Sequence, residues 1–251
     1  MTKTNWIGQE IFHKEITGST NQDIKELAMS GATQGTVVCA DMQTAGRGRR
    51  GRSWLSNKGD GLLFSLLLRP DIAPDKVSQI TLLMALAVAK VLRKTYAFDA
   101  RIKWPNDILV NGKKTTGILT EMIAEENRIQ ALLIGIGINV NQEQADFPDA
   151  LQTIATSVAI EEGQQVDRVQ LVAKVLDFLE HYGDHYVKHG FPLIKKLWEE
   201  SSCTIGSQVR ATTLREVVEG EAIAITDSGV LEIRQANGEI KGVYSADIEI
   251  L

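Results

Sequence analysis

RIKWPNDILVNGKKTTGILTEMIAEENRIQALLIGIGIN, residues 101–139, decides the architecture. It divides into four strand-like runs, 101–104, 107–110, 115–123 and 128–139, rich in Ile, Leu, Val and Thr. Asn111-Gly112 stands between the second and third, and Asn-Gly is the pair that most readily gives a two-residue hairpin turn. Upstream, 10–16, 36–41 and 62–69 read as further strands. A helix is expected over 21–29, opened by Ser19-Thr20-Asn21-Gln22-Asp23 and stopped by Gly31. Pro74-Asp75 opens the clearest helix, with Val77, Ile80, Met84, Ala87, Val88, Val91 and Leu92 at helical spacing. A second long helix follows Asp167, with Val169, Val172, Val175, Leu176, Leu179 and Tyr182 on its apolar side, and a short one covers 193–200. Beyond Ser201-Ser202 only short alternating runs remain: 209–214, 217–226, 229–234, 239–243 and 247–250, divided by Asp227-Ser228-Gly229 and Asn237-Gly238. The expectation is an α+β domain, a mixed sheet with packed helices over 1–202, followed by a small β-barrel over 203–251.

Composition narrows the function classes. With 43% hydrophobic and 24% charged residues, the 251-residue chain can bury a core without metal or disulfides. Its net charge of −5 argues against nucleic-acid binding. Cys39 and Cys203 lack a second Cys or a His at zinc spacing, so neither a metal site nor a disulfide framework is expected. Met1 to Gly8 carries no signal-peptide pattern, and no apolar run is long enough to cross a bilayer. A cytoplasmic, non-membrane protein is expected. His181, His185 and His189 recur every four residues but read as a solvated helix face.

The chemistry concentrates in Gly46-Arg47-Gly48-Arg49-Arg50-Gly51-Arg52-Ser53-Trp54. Four arginines in six residues of an acidic protein repel one another unless an anion is present. Glycines let the backbone approach a ligand, and guanidinium groups match phosphate or carboxylate oxygens in pairs. Trp54 offers a flat face for a base. The segment formally matches G-x-G-x-x-G but neither follows a strand directly nor opens a helix, so a dinucleotide fingerprint is rejected. It is also too short, and too closely flanked by apolar strands, for an RNA-binding arginine-glycine tract. A phosphate-binding loop and a solvated surface loop both remain open. No Walker A pattern and no G-x-S-x-G elbow occurs.

Three further segments have two readings each. Lys103, on an alternating strand before Trp104-Pro105-Asn106-Asp107, is an inward lysine in need of an anion or a surface lysine before a turn. Gly135 and Gly137 weaken the strand 128–139 unless something approaches its backbone, whether a ligand or tight packing. Ser19 with Gln22, or Thr20 with Asp23, fits a capping box, and a helix start also attracts anions.

Taken together, Ser19-Thr20-Asn21, the run from Gln43 to Trp54, Lys103-Trp104-Pro105-Asn106-Asp107, Gly117-Ile118-Leu119-Thr120-Glu121 and Gly135-Ile136-Gly137-Ile138-Asn139-Val140 resemble the biotin–protein ligase family in order and spacing. The resemblance covers nearly the whole chain. It implies a catalytic domain similar to the class II synthetase type, followed by an SH3-like barrel. The implied activity is formation of biotinyl-5'-adenylate from biotin and ATP, with Mg²⁺ on the triphosphate, and transfer of biotin to a lysine of a biotin carboxyl carrier protein domain. Lys103 and Arg49 would be catalytic. Ser19, Thr20, Asn21, Gln43, Arg47, Gly48, Arg49, Lys103, Gly117 and Gly135 would hold biotin, and Arg49, Arg50, Arg52, Trp54, Asn106 and Asn139 the nucleotide. No metal site in the protein itself is implied. Asp107 is a candidate base for the acceptor amine. Some family members carry an N-terminal DNA-binding domain; Ser19 comes too early for one here, so a monofunctional ligase is expected. A homodimer is expected by analogy.

Overall fold

The computed structural model describes residues 2–126 and 128–251; Met1, the first residue of the stretch inspected for a signal pattern, and Asn127 lie outside the described residues. In chain order the elements are β1 (Ile11–Thr17), α1 (Thr20–Met29), β2 (Val37–Gln43), β3 (Gly61–Leu68), α2 (Val77–Tyr96), β4 (Ala100–Lys103), β5 (Asp107–Val110), β6 (Lys113–Glu125), β7 (Arg128–Asn139), α3 (Val158–Glu162), α4 (Arg168–His189), α5 (Pro192–Ser201), β8 (Gln208–Thr212), β9 (Val217–Ile225), β10 (Leu231–Arg234), β11 (Ile240–Val243) and β12 (Asp247–Ile250).

The first seven strands form one sheet in the order β1-β2-β3-β7-β6-β5-β4. Only β1 and β2 run parallel, so the sheet is mixed as expected. Asn111 and Gly112 both have positive φ, 50° and 76°, the conformation their dipeptide foretells. β3, buried at all eight positions, is the spine. Its two faces meet different partners. Leu66, Leu68, Leu132, Ile134, Ile136 and Ile138 pack with α2 and α4 in the main core. Leu67, Ala131 and Leu133 pack on the opposite face against Ile24 and Ala28 of α1. Each large side chain buried this way contributes about 1.5–3 kcal/mol.

Along the α1 face of β7 the alternate residues shrink from Leu133 to Gly135 and Gly137. Pairing sets Ser65 and Leu119 beside Gly135, and Leu63 and Gly117 beside Gly137. This face therefore stops being filled by its own side chains just beyond α1, and a cavity begins there.

Residues 208–250 form a five-stranded antiparallel sheet, order β11-β10-β9-β8-β12, open between β11 and β12. It docks on the larger unit through Gln79 Nε2 to Asp227 O at 2.5 Å, Trp104 Nε1 to Gly229 O at 3.3 Å, and the Ile225 N–H to Glu199 Oε1 at 3.1 Å. Asp167 caps α4, accepting the Val169 and Gln170 N–H groups. Farther along α4, the buried Glu180 accepts the backbone N–H groups of Asn5, Trp6 and Ile7 and the Asn5 amide. Burial alone would raise its pKa; the four donors outweigh that and hold it below the ordinary value.

Two expectations need correction. The capping box at Ser19 does not form, because Ser19 makes no side-chain cap and Asp23 is turned to Thr17 and Lys14. The one-turn-plus helix α3 was not expected; Ser157 caps it through the Ile160 N–H and Gly163 ends it at φ 77°.

Candidate active site

The cavity on the α1 face holds about 900 Å³, at the upper end of small-molecule sites. Its floor is β6 and β7. A Cβ on Gly137 would stand 2.5 Å from Trp54 Cε2, and one on Gly117 would stand 2.8 Å from Trp54 Cζ3. The two glycines thus admit a flat indole directly onto the sheet. Lys114 Nζ lies 5.7 Å from the ring centroid and 2.7 Å from Asp107 Oδ1, an ion pair set too far off-line for a hydrogen bond. The Trp54 N–H is buried and has no acceptor among the described residues.

At the other end, a Cβ on Gly135 would come within 2.5 Å of Asn21 Oδ1. Asn21 and Thr20 are buried polar residues, and their network explains why they can be. Gln43 Oε1 accepts the Thr20 N–H and hydroxyl, at 2.8 and 3.1 Å. Ser65 Oγ lies 2.8 Å from Thr20 Oγ1 and 2.6 Å from Asn21 Oδ1, with one proton to give. Asn21 Nδ2 donates to Glu121 Oε2 at 2.7 Å. The helix start is therefore organised by Gln43, Ser65 and Glu121 rather than by its own caps.

The loop 46–54 closes on itself. Trp54 N donates to Gly46 O at 2.9 Å, Gly48 N to Arg52 O at 2.7 Å, and Arg47 and Ser53 form an antiparallel bridge. Arg49 Nη1 donates to Asn106 Oδ1 at 2.9 Å, and Asn106 Nδ2 donates to Ile118 O at 2.8 Å. Burial pushes the Arg49 pKa down and Arg50 and Arg52 add to that, while Asp107 and Asp247 push back. An arginine starts so high that it stays charged. Arg47 Nη1 sits 3.7 Å from Glu121 Oε1.

Lys103 ends β4 opposite Asp107 and lines the cavity, so its inward reading holds. Asp107 is taken by Lys114, and no carboxylate among the described residues pairs with Lys103. The Trp104–Pro105 peptide bond is cis.

Ser19, Thr20, Asn21, Gln43, Arg47, Gly48, Arg49, Arg52, Trp54, Lys103, Asn106, Gly117, Gly135 and Asn139 all face this one cavity. Arg50 does not: with φ 55° it turns toward the C-terminal sheet. The anion that the four arginines call for is supplied in part by the chain itself, because Asp247 and Glu121 both reach the loop. Asn139 is engaged by its Nδ2 to Thr156 O at 3.0 Å. Ser65, Glu121, Lys114 and Asp247 were not singled out from the sequence. Glu121 had a signal, since it closes a quoted motif; the others are brought in only by strand pairing.

Such a cavity can hold a flat ring against the sheet at its Trp54 end and anionic groups beside Arg47, Arg49, Arg52 and Lys103. The chain matches the Biotin/lipoate A/B protein ligase family over residues 14–139 and the Biotin protein ligase C terminal domain over 204–251. It is 48% identical over 248 residues to the bifunctional ligase/repressor BirA of Bacillus spizizenii, covering 99% of this chain and 76% of that one. It is 34% identical to the biotin–[acetyl-CoA-carboxylase] ligase of Paracoccus denitrificans, covering 88% and 93%. The biotin protein ligase of Aquifex aeolicus, solved with biotin and ATP, superposes with a TM-score of 0.83 at 28% identity, covering 97% and 99%. The chain belongs to the biotin protein ligase family.

Proposed function

We propose that this chain joins biotin to ATP as biotinyl-5'-adenylate and passes biotin to a lysine of a carboxyl carrier domain of a biotin-dependent carboxylase. The observation that carries the reading is Lys103, left without a carboxylate partner among the described residues in a cavity that Arg47, Arg49 and Arg52 also line. The Asn21–Gly135 end takes the biotin ring, where buried amide and hydroxyl groups match a polar ring system. The Trp54 end takes the nucleotide. Asn106 and Asn139 support that end through the contacts they make to Arg49 and Thr156.

The first step needs alignment and charge neutralisation rather than a base. Biotin's carboxylate is ionised at neutral pH and attacks the α-phosphorus of ATP; the P–O bond to pyrophosphate breaks. Lys103 and Arg49 reduce the repulsion between the two anions. Mg²⁺ enters with the triphosphate as part of the substrate. In the second step the acceptor amine must lose a proton, and Asp107, which lines the cavity beside Lys103 in the strand register, is the candidate base once it gives up Lys114.

The same reading makes the division at 202/203 a domain boundary and the protein cytoplasmic, in keeping with its two free cysteines. No helix of the described residues is long and apolar enough to cross a membrane. These 251 residues would not bind duplex DNA, given their net charge of −5. Two copies would pair through a sheet edge; β1 is such an edge and exposes Ile11, Phe12 and Ile16. ATP–pyrophosphate exchange tests the function: it should require biotin, and lipoate should not substitute. Exchange with lipoate but not biotin would reverse the substrate assignment.

A further inference from the structure

The arginine loop is held from outside the catalytic sheet. Asp247, the first residue of β12, pairs with Thr212 of β8, so its carboxylate and the Thr212 carbonyl stand side by side. Arg50 Nη1 donates to Thr212 O at 2.6 Å and lies 3.2 Å from Asp247 Oδ2. Arg52 Nη2 lies 3.0 Å from the same oxygen. Arg49 Nη2 donates to Ser245 Oγ at 2.8 Å. Three of the four loop arginines thus end on one corner of the C-terminal sheet. Arg50 adopts a left-handed backbone conformation unfavourable for arginine, and it is the one loop arginine that does not line the cavity.

We propose that Asp247 is a positioning residue, a resident counter-anion through which the C-terminal sheet latches the arginine loop over the cavity. Arg50 is the fixed tongue of the latch rather than a nucleotide ligand. Arg52, whose side chain is 70% exposed, is the arm that can leave Asp247 for an arriving polyphosphate. The latch offsets the self-repulsion of the loop and holds Arg49 beside Asn106. It also gives the C-terminal sheet a role in retaining the adenylate. Only this last consequence rests on the ligase reading; the latch itself rests on contacts within the chain.

The test uses the full chain without substrates. Hydrogen exchange of the amides of residues 46–54 is compared in wild type, Asp247→Asn, Asp247→Glu and Arg50→Gln. Asp247→Asn, which removes two ion pairs, and Arg50→Gln, which removes one ion pair and one hydrogen bond, should each speed loop exchange by about fivefold. The amides of β6 and β7 should stay within about twofold, which shows the fold intact. Asp247→Glu should restore most of the protection. Wild-type loop exchange should quicken in about 0.5 M salt, where screening acts within roughly 5 Å, and Asp247→Asn should not respond. That salt signature separates a charge latch from simple packing. Equal loop protection in wild type and both neutral variants, or equal salt response, would overturn the latch. With biotin and ATP, Asp247→Asn should also label added albumin. A loosened loop without such labelling would uphold the latch and refute its role in retaining an adenylate.

Discussion

Gly137→Ala separates the two ends of the cavity. The added Cβ would stand 2.5 Å from Trp54 Cε2 and 2.8 Å from both Cζ2 and Nε1. Carbon atoms rest at about 3.5 Å or more, so the indole must lift by roughly 1 Å. The backbone cannot yield instead, because Gly137 is paired on both sides, to Leu63 and to Gly117. Overpacking of this kind costs about 1–3 kcal/mol, a factor of roughly 5 to 150. If Trp54 lies against the nucleotide, that factor falls on the KM for ATP in pyrophosphate exchange and spares the KM for biotin. Gly135→Ala presses on Asn21 at the same 2.5 Å and should do the reverse. Trp54 emission should shift in the first variant alone. An ATP KM within about twofold of wild type for Gly137→Ala, with unchanged emission, would refute this division of the cavity.

Arg49→Gly removes the guanidinium that bridges Asn106 and Ser245; the adenylate should escape and label added albumin, and strict labelling of a carrier domain would count against a retaining role. Glu180 has a depressed pKa, so its contribution is present above the ordinary carboxylate value near 4.5 and is lost as pH falls through the lower folded value. Glu180→Gln should therefore lose about 2 kcal/mol at pH 7 in urea unfolding, with the difference from wild type narrowing as pH falls below the ordinary carboxylate value; a difference that stays constant as pH falls through the acid range would contradict the assignment. Duplex DNA should give no mobility shift at physiological salt, with or without biotin, and a sequence-specific shift would overturn the expectation for these 251 residues.

Much of the fold was legible because its elements are locally marked. Asn111-Gly112 specifies its turn, Asp167 caps its helix, and the apolar spacing of α2 and α4 matches their buried faces except at Val169, which lies in the first turn of α4 and is exposed. The short helix α3 escaped because five residues carry too little periodicity, although Ser157 and Gly163 mark its ends. For the site, the residue types were readable and their partners were not. The glycines of β7 announced a close approach, but only strand register shows that Trp54 and Asn21 make it. The arginine loop announced a need for an anion, and the sequence places Asp247 almost two hundred residues away. Residues that act through pairing across strands, such as Ser65 and Lys114, leave no local trace.

The most direct test is Lys103→Ala in ATP–pyrophosphate exchange with biotin. Lys103 lines the cavity, makes no ion pair among the described residues and is half-buried, so its loss should leave the thermal unfolding curve in place. Exchange should fall by about a hundredfold or more, the usual cost of one charge at a reacting centre. Exchange within a few-fold of wild type, in a folded variant, would show that carboxylate and phosphate do not meet at Lys103.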